Sequence, residues 1–245
     1  MTKIQDKVNV TIKQLNKPQK LISFWVIFWL LFLGYWSFVL AMASKPPIKE
    51  EPKYKLEILK MEVVPAPQTQ TPKKILMVIA HKNFQDREFS VPKELLEKKG
   101  YLITIASSSL SEAQGMLGTK VKPDLLLKEA KATDYDAIVF VGGSGTTQYF
   151  NDPQALALAI EAEKHHKVIG AICIAPVILA KAGVLQGKKA TVWSGEKQTL
   201  QKSGAVCTGK AVEVDGKIIT ASGPAAAEEF GKALVKILRE SSNSP

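Results

Sequence analysis

An α/β fold with a mostly parallel sheet, preceded by one transmembrane helix, is the class that three features of this 245-residue sequence predict. Residues 21–43 form a single uncharged apolar run. Residues 44–72 are rich in proline, lysine, glutamate and glutamine. From Lys73 onward, short continuous apolar runs alternate with amphipathic stretches of helical length, the pattern of a sheet covered by helices on both faces.

Taken in order, residues 1–20 are a tail carrying Lys3, Lys7, Lys13, Lys17 and Lys20. The 23 residues from Leu21 to Ala43 hold eight of the 18 aromatics: Phe24, Trp25, Phe28, Trp29, Phe32, Tyr35, Trp36 and Phe38. As a helix they span roughly 35 Å against a bilayer core of about 30 Å, and they show no polar stripe. An uncleaved signal anchor is therefore predicted, and a single-pass membrane protein with it. Ala41-Met42-Ala43 before Ser44 resembles a signal-peptide cleavage site, yet the apolar run exceeds the usual length of ~7–15 residues. Lysines flank both sides of the span equally, and the short tail is expected inside with the domain outside the cytoplasm. Residues 44–72, with Pro46, Pro47, Pro52, Pro65, Pro67 and Pro72, read as an extended spacer.

The domain follows at 73–240. Lys74–Ala80 has the continuous apolar character of a strand buried on both faces, and residues 88–99 read as a helix stopped by Gly100. Tyr101–Ala106, Ala137–Val141 and Val168–Cys173 are further strands, with a helix from Pro153 to about Lys164. Asp215-Gly216 between two β-rich runs is a hairpin signal, and a last helix ends near Arg239.

Charge and composition exclude several classes. Of the net charge of +10, half lies in residues 1–72, beside the apolar run and suited to lipid headgroups. The rest is spread without a basic run or interleaved aromatics, so no nucleic-acid partner is expected. Two cysteines without a C-x-x-C pair exclude a disulfide scaffold and a structural zinc site. Three histidines give no metal-ligand spacing, and His165-His166 suits a helix C-terminus better than a metal. Gly142-Gly143-Ser144-Gly145 lacks the lysine or later glycine of a nucleotide loop, and no cofactor is expected.

The most informative stretch is Val168-Ile169-Gly170-Ala171-Ile172-Cys173-Ile174-Ala175-Pro176. A buried strand ends at a cysteine and a helix starts within three residues, the arrangement of a nucleophile elbow. Amides at the helix start would stabilise a thiolate or an oxyanion. A free cysteine in an apolar run also serves simply as a small core residue.

Three segments together resemble the ThiJ/PfpI family, or DJ-one/PfpI superfamily, which is related to class I glutamine amidotransferases. They are Asp134–Gly145, Ala171–Pro176 and Ala182–Thr191, and the hairpin at Val214–Thr220 with Ser222-Gly223-Pro224 follows in the family's order. The resemblance implies a flavodoxin-like three-layer sandwich, commonly a homodimer, with Cys173 at the reactive elbow. It assigns backbone amides of Gly142, Gly143 and Ile174 to the reaction centre. Activities across the family include glyoxalase, deglycase, peptidase, chaperone and stress-response sensing, so the fold alone does not select one. Peptidase-like members carry histidine after the cysteine, where Ile174 stands here and cannot relay a proton.

The family also places a glutamate near the cysteine from the loop Ala80–Glu88. Aligning on Phe84 puts Gln85 there, while Glu88 is the first choice among the acids if the loop is one residue longer; Asp86 and His81 are alternatives. Glutamine can donate to sulfur but cannot shuttle protons. Trp193 and Ser194 are expected at the pocket, and Cys207 in a strand. The predicted function is a membrane-anchored, cysteine-dependent hydrolase or lyase acting on small reactive carbonyls or their adducts. The rival is a non-catalytic redox sensor or interaction module.

Overall fold

The computed structural model describes residues 71–241. The tail, the predicted membrane run at 21–43 and nearly all of the spacer lie outside the described residues. Among the described residues, no helix is long and apolar enough to cross a membrane.

Twelve strands and five α-helices follow one another along the described chain. The strands are β1 (Lys74–Val78), β2 (Lys82–Phe84), β3 (Leu102–Ser107), β4 (Ala113–Gly115), β5 (Lys120–Val121), β6 (Leu125–Leu126), β7 (Ala137–Phe140), β8 (Val168–Ile172), β9 (Lys189–Ala190), β10 (Val206–Cys207), β11 (Val212–Asp215) and β12 (Ile218–Ala221). The helices are α1 (Asp86–Glu97), α2 (Pro153–Lys164), α3 (Pro176–Lys181), α4 (Lys197–Lys202) and α5 (Ala227–Glu240).

Seven strands form the central sheet in the order β11-β12-β8-β7-β1-β3-β6. All neighbours run parallel except the β11–β12 hairpin, which closes on Asp215-Gly216 as the sequence predicts. β7 and β8 are buried along their whole length, consistent with continuous apolar strands between two helical layers. α1 packs on α5, and α2 packs on α3. α5 shows why the layers hold: Ala227, Phe230, Leu234 and Leu238 recur at helical spacing and are all buried against the sheet and α1.

The chain leaves β1 toward β3 and β6 on one side, then crosses to β7, β8 and β12 on the other. Strand order thus reverses between β1 and β7, the topological position beside which such sheets bind ligands at their carboxyl edge. Two small accessory sheets, β2-β4-β5 and β9-β10, also form, of which a strand at Cys207 was expected. Strands of two or three residues are too short to carry a readable period. β1 also ends at Val78 rather than Ala80, because the chain leaves the ladder to form the loop that leads to β2.

Leu234 is fully buried beneath α5. Truncating it, Leu234→Ala, is expected to destabilise the domain by about 2–5 kcal/mol, measured as a lower denaturant midpoint with an unchanged slope.

Candidate active site

β8 delivers its chain to the carboxyl edge of the sheet and must turn sharply to start α3. The turn residue is Cys173, whose φ of 63° lies in the left-handed region that side chains other than glycine seldom adopt. Such a conformation costs on the order of 1–3 kcal/mol and persists only where neighbours hold it. Two backbone bonds do so: the Cys173 amide donates to the Ala221 carbonyl at 2.8 Å, and the Cys173 carbonyl accepts from the Trp193 amide at 2.8 Å. The end of β12 and the segment after β9 thus clamp the elbow from both sides.

Glu88 reaches the cysteine from α1. Gln85 is the N-cap of this helix, its Oε1 accepting from the Glu88 amide at 2.8 Å. A glutamate at the third helical position usually folds back onto the N-cap amide. That amide is already taken, since Gln85 N donates to the Gly142 carbonyl at 2.8 Å. The Glu88 carboxylate instead points inward, 0% exposed, against Cys173 and the Gly142 amide.

Neither Glu88 oxygen has a partner in well-formed hydrogen-bond geometry, although Cys173 and Gly142 lie close enough to act on its charge. The contact is thus electrostatic proximity rather than a full set of hydrogen bonds, and burial dominates. Burial raises the Glu88 pKa to about 7, with the thiol and the Gly142 amide working in the opposite direction. The Cys173 thiol is pushed up to about 12 by burial and then by the negative Glu88 beside it, against the lowering pull of the Gly143 and Ile174 amides. The amides at the elbow thus do not by themselves make the resting sulfur a thiolate. Once Glu88 holds a proton, its effect on sulfur reverses, because a carboxylic acid donates to a thiolate instead of repelling it.

The glycine loop after β7 lets these groups meet. A β-carbon on Gly142 would collide with Glu88 Oε2 and sit 2.6 Å from Cys173 Cβ. Gly143, at φ 109°, backs onto the loop before α1, where a β-carbon would meet the Gln85 amide and lie 2.5 Å from the Asn83 carbonyl. Close approach of three chain segments, rather than phosphate binding, accounts for this glycine pair.

The other residues singled out from sequence are distributed as follows. Gln85 serves α1 as its cap, and it is Glu88, one turn onward, that faces the sulfur. Asp86 is buried and accepts from the amides of Leu117 and Thr119 at 2.7 and 2.8 Å. Burial works to raise its pKa, but Thr119 and these amides outweigh it and hold the carboxylate below its ordinary range. Asp86 therefore latches the turn between β4 and β5. His81 belongs to a separate polar contact, its Nε2 lying 3.3 Å from Ser111 Oγ. Trp193 is joined to the elbow through its amide, while its indole is 48% exposed. The Ile174 side chain is buried and its amide faces the sulfur. Cys207 sits in the small β9-β10 sheet, and both cysteines are free thiols. His165 caps the C-terminus of α2. Among the described residues, no group of three or more His, Cys, Asp or Glu side chains is arranged to hold a metal.

Sequence reasoning missed the clamp on Cys173. Its Ala221 acceptor precedes the Ser222-Gly223-Pro224 motif, and that position at a strand end beside β8 was the available signal.

The family model for the DJ-1/PfpI family matches residues 73–237. The chain belongs to the DJ-1/PfpI family. A protein of Methanocaldococcus jannaschii is 39% identical over 170 residues, covering 68% of this chain and 83% of that one. A protein of Archaeoglobus fulgidus is 31% identical over 67% of this chain and 98% of its own. The crystal structure of a ThiJ/PfpI domain protein from Brachyspira murdochii superposes with a TM-score of 0.68 at 33% identity, covering 70% of this chain and 99% of that chain. Drosophila melanogaster DJ-1beta gives 0.62 at 30% identity, over 69% and 90% respectively. The three-layer architecture with a mostly parallel sheet is thus that of the family.

A raised carboxyl pKa makes stability depend on pH. The folded-state pKa of Glu88 lies above its ordinary 4.5, so its contribution is fully present below about pH 4.5 and is lost as pH rises through about 7. The loss is on the order of 3 kcal/mol at ~1.4 kcal/mol per pKa unit. Denaturant midpoints should fall between about pH 5 and about pH 8, and Glu88→Gln should remove most of that fall.

Proposed function

We propose that this is a membrane-anchored, cysteine-dependent enzyme that acts on small reactive carbonyls such as α-oxoaldehydes. The observation that carries this reading is the buried contact between Glu88 and Cys173, with the Gly143 and Ile174 amides directed at the sulfur. A thiol whose pKa is about 12 needs a base, and a carboxyl with a pKa of about 7 is both base and acid near neutrality.

The step follows from that geometry. Glu88 as carboxylate takes the S–H proton while sulfur attacks the aldehyde carbon, breaking its C=O π bond and forming a C–S bond. The developing oxyanion is received by the Gly143 and Ile174 amides, which the glycine loop after β7 and the elbow hold in place before substrate arrives. The proton now on Glu88 passes to that oxygen, leaving a neutral hemithioacetal and restoring the carboxylate. Glu88 then takes the C1 proton of the α-oxo adduct and returns it to C2, while the hydroxyl proton passes from the C1 oxygen to the C2 oxygen, leaving a thioester. Water adds to its carbonyl, the C–S bond breaks, and the 2-hydroxy acid leaves as the sulfur regains a proton. Ile174, in place of a second titratable group, leaves Glu88 as the proton carrier and favours small carbonyls over peptide bonds.

This contact also supports the enzyme reading over the non-catalytic sensor. Sensing requires an easily ionised thiol, whereas burial and Glu88 raise this one. Membrane attachment rests on the uncharged 23-residue run at 21–43, with the short basic tail inside and the domain on the outer side.

Turnover of methylglyoxal by the purified full chain tests the proposal. Cys173→Ala should reduce it to background, and Glu88→Gln should lower kcat by roughly 10²–10⁴-fold. Because the carboxylate form is the working base, wild-type activity should rise with pH through about 7. Wild-type turnover no faster than that of Cys173→Ala would overturn the assignment.

A further inference from the structure

The edge of the sheet opposite the cysteine carries a second hollow. Cross-strand register sets Lys74 level with Leu102, Ile75 with Ala137, Ala137 with Val168, and Ile218 with Ile169. The amino ends of β3, β1, β7, β8 and β12 therefore lie along one edge. Here a hollow of about 400 Å³ is lined by Glu163, His166, Lys167, Lys188 and Lys217, with the buried Ile169 and Ile218 beneath.

Its ammonium groups outnumber its carboxylate three to one. Each is held by a neighbour: Lys188 Nζ lies 3.2 Å from Glu163, Lys217 Nζ donates to the His166 carbonyl at 2.9 Å, and Lys167 Nζ donates to the Thr133 carbonyl at 3.3 Å. One such bond uses one of the three protons on an ammonium group. Glu163 neutralises one of the three cations, and the His166 and Thr133 carbonyls hold the other two without cancelling their charge. The surplus positive charge is preorganised around a space with room for a phosphate group.

The chain enters the domain on this same edge. Residue 73 runs directly into Lys74 at the amino end of β1, and the Lys73 carbonyl accepts from the Leu102 amide at 2.9 Å. The described chain thus enters on the same edge of the sheet as the hollow, with β7 between β1 and the β8 residues that line it. At most ~3.6 Å per residue, a stretch as long as 44–72 permits both close and distant positions of the bilayer, so charge decides between them. We propose that this edge docks on the bilayer, the hollow receiving the phosphate of an anionic lipid headgroup. The inference rests on reading residues 21–43 as a membrane anchor. Docking turns the opposite edge, with Cys173 and Glu88, toward water and toward soluble carbonyls.

Lysine acetylation footprinting of the full chain in vesicles tests this. In phosphatidylcholine vesicles containing phosphatidylglycerol, acetylation of Lys167, Lys188 and Lys217 should slow by roughly five-fold relative to phosphatidylcholine alone. Lys82 and Lys197, which follow carboxyl-edge segments, should label equally in both. Co-sedimentation with both vesicles but identical labelling would overturn the docking and leave the anchor standing. A chain that sediments with neither vesicle would remove the anchor and the docking with it. Equal protection by inorganic phosphate in phosphatidylcholine vesicles would identify a free-phosphate site and overturn the lipid assignment.

Discussion

A carboxyl group with no exposure to water, pressed against a thiol at a left-handed turn, is the constraint around which the carboxyl edge of this domain is built. Neither Glu88 nor Cys173 is comfortable alone. One lacks well-formed hydrogen-bond partners and the other holds a conformation that seldom suits a β-carbon. Their proximity requires that Gly142 carry no side chain, that the Gln85 amide be occupied by the Gly142 carbonyl, and that Ala221 and Trp193 clamp the elbow from either side. These backbone groups come from the loop after β7, the cap of α1, the end of β12 and the segment after β9.

Such a site draws on the stability of the rest of the domain. The strained φ and the unsatisfied buried carboxyl are penalties that the apolar strands β1, β7 and β8 must offset. In return the pair holds its proton at a pKa near neutrality, which neither group has in water. The two pKa values belong to a coupled unit, since the charge of Glu88 raises the thiol and its protonation would lower it. Chemistry at this edge is therefore a matter of where one shared proton resides.

Parallel topology also separates the two ends of the molecule. Loops at the carboxyl ends of the strands assemble the site, while the amino ends collect the point of chain entry and the lysines before β8 and β12. A sheet in which most strands run one way makes this polarity automatic. The point of chain entry and the Glu88–Cys173 pair therefore do not share a surface.

The apolar runs at Lys74–Val78, Ala137–Phe140 and Val168–Ile172, the Asp215-Gly216 turn and the helix opening at Pro153 were all legible in the sequence, because each is specified by local periodicity or turn chemistry. Motif order was enough to place the chain in its family and to put Cys173 at a strand end. The sequence offered both Gln85 and Glu88 as the residue facing the sulfur and did not decide between them. Alignment on Phe84 favoured Gln85, and only the folding of the β1–α1 loop onto Gly142 and Gly143 assigned Gln85 to the helix cap and turned Glu88 inward. The direction of the thiol pKa likewise escaped a local reading, which saw the amides at the elbow but not the buried charge delivered from α1. Local sequence determined the elements and their order; the meeting of Glu88, Gly142 and Cys173, which are far apart along the chain, was decided by the crossover between β1 and β7, because burial and electrostatics act through space.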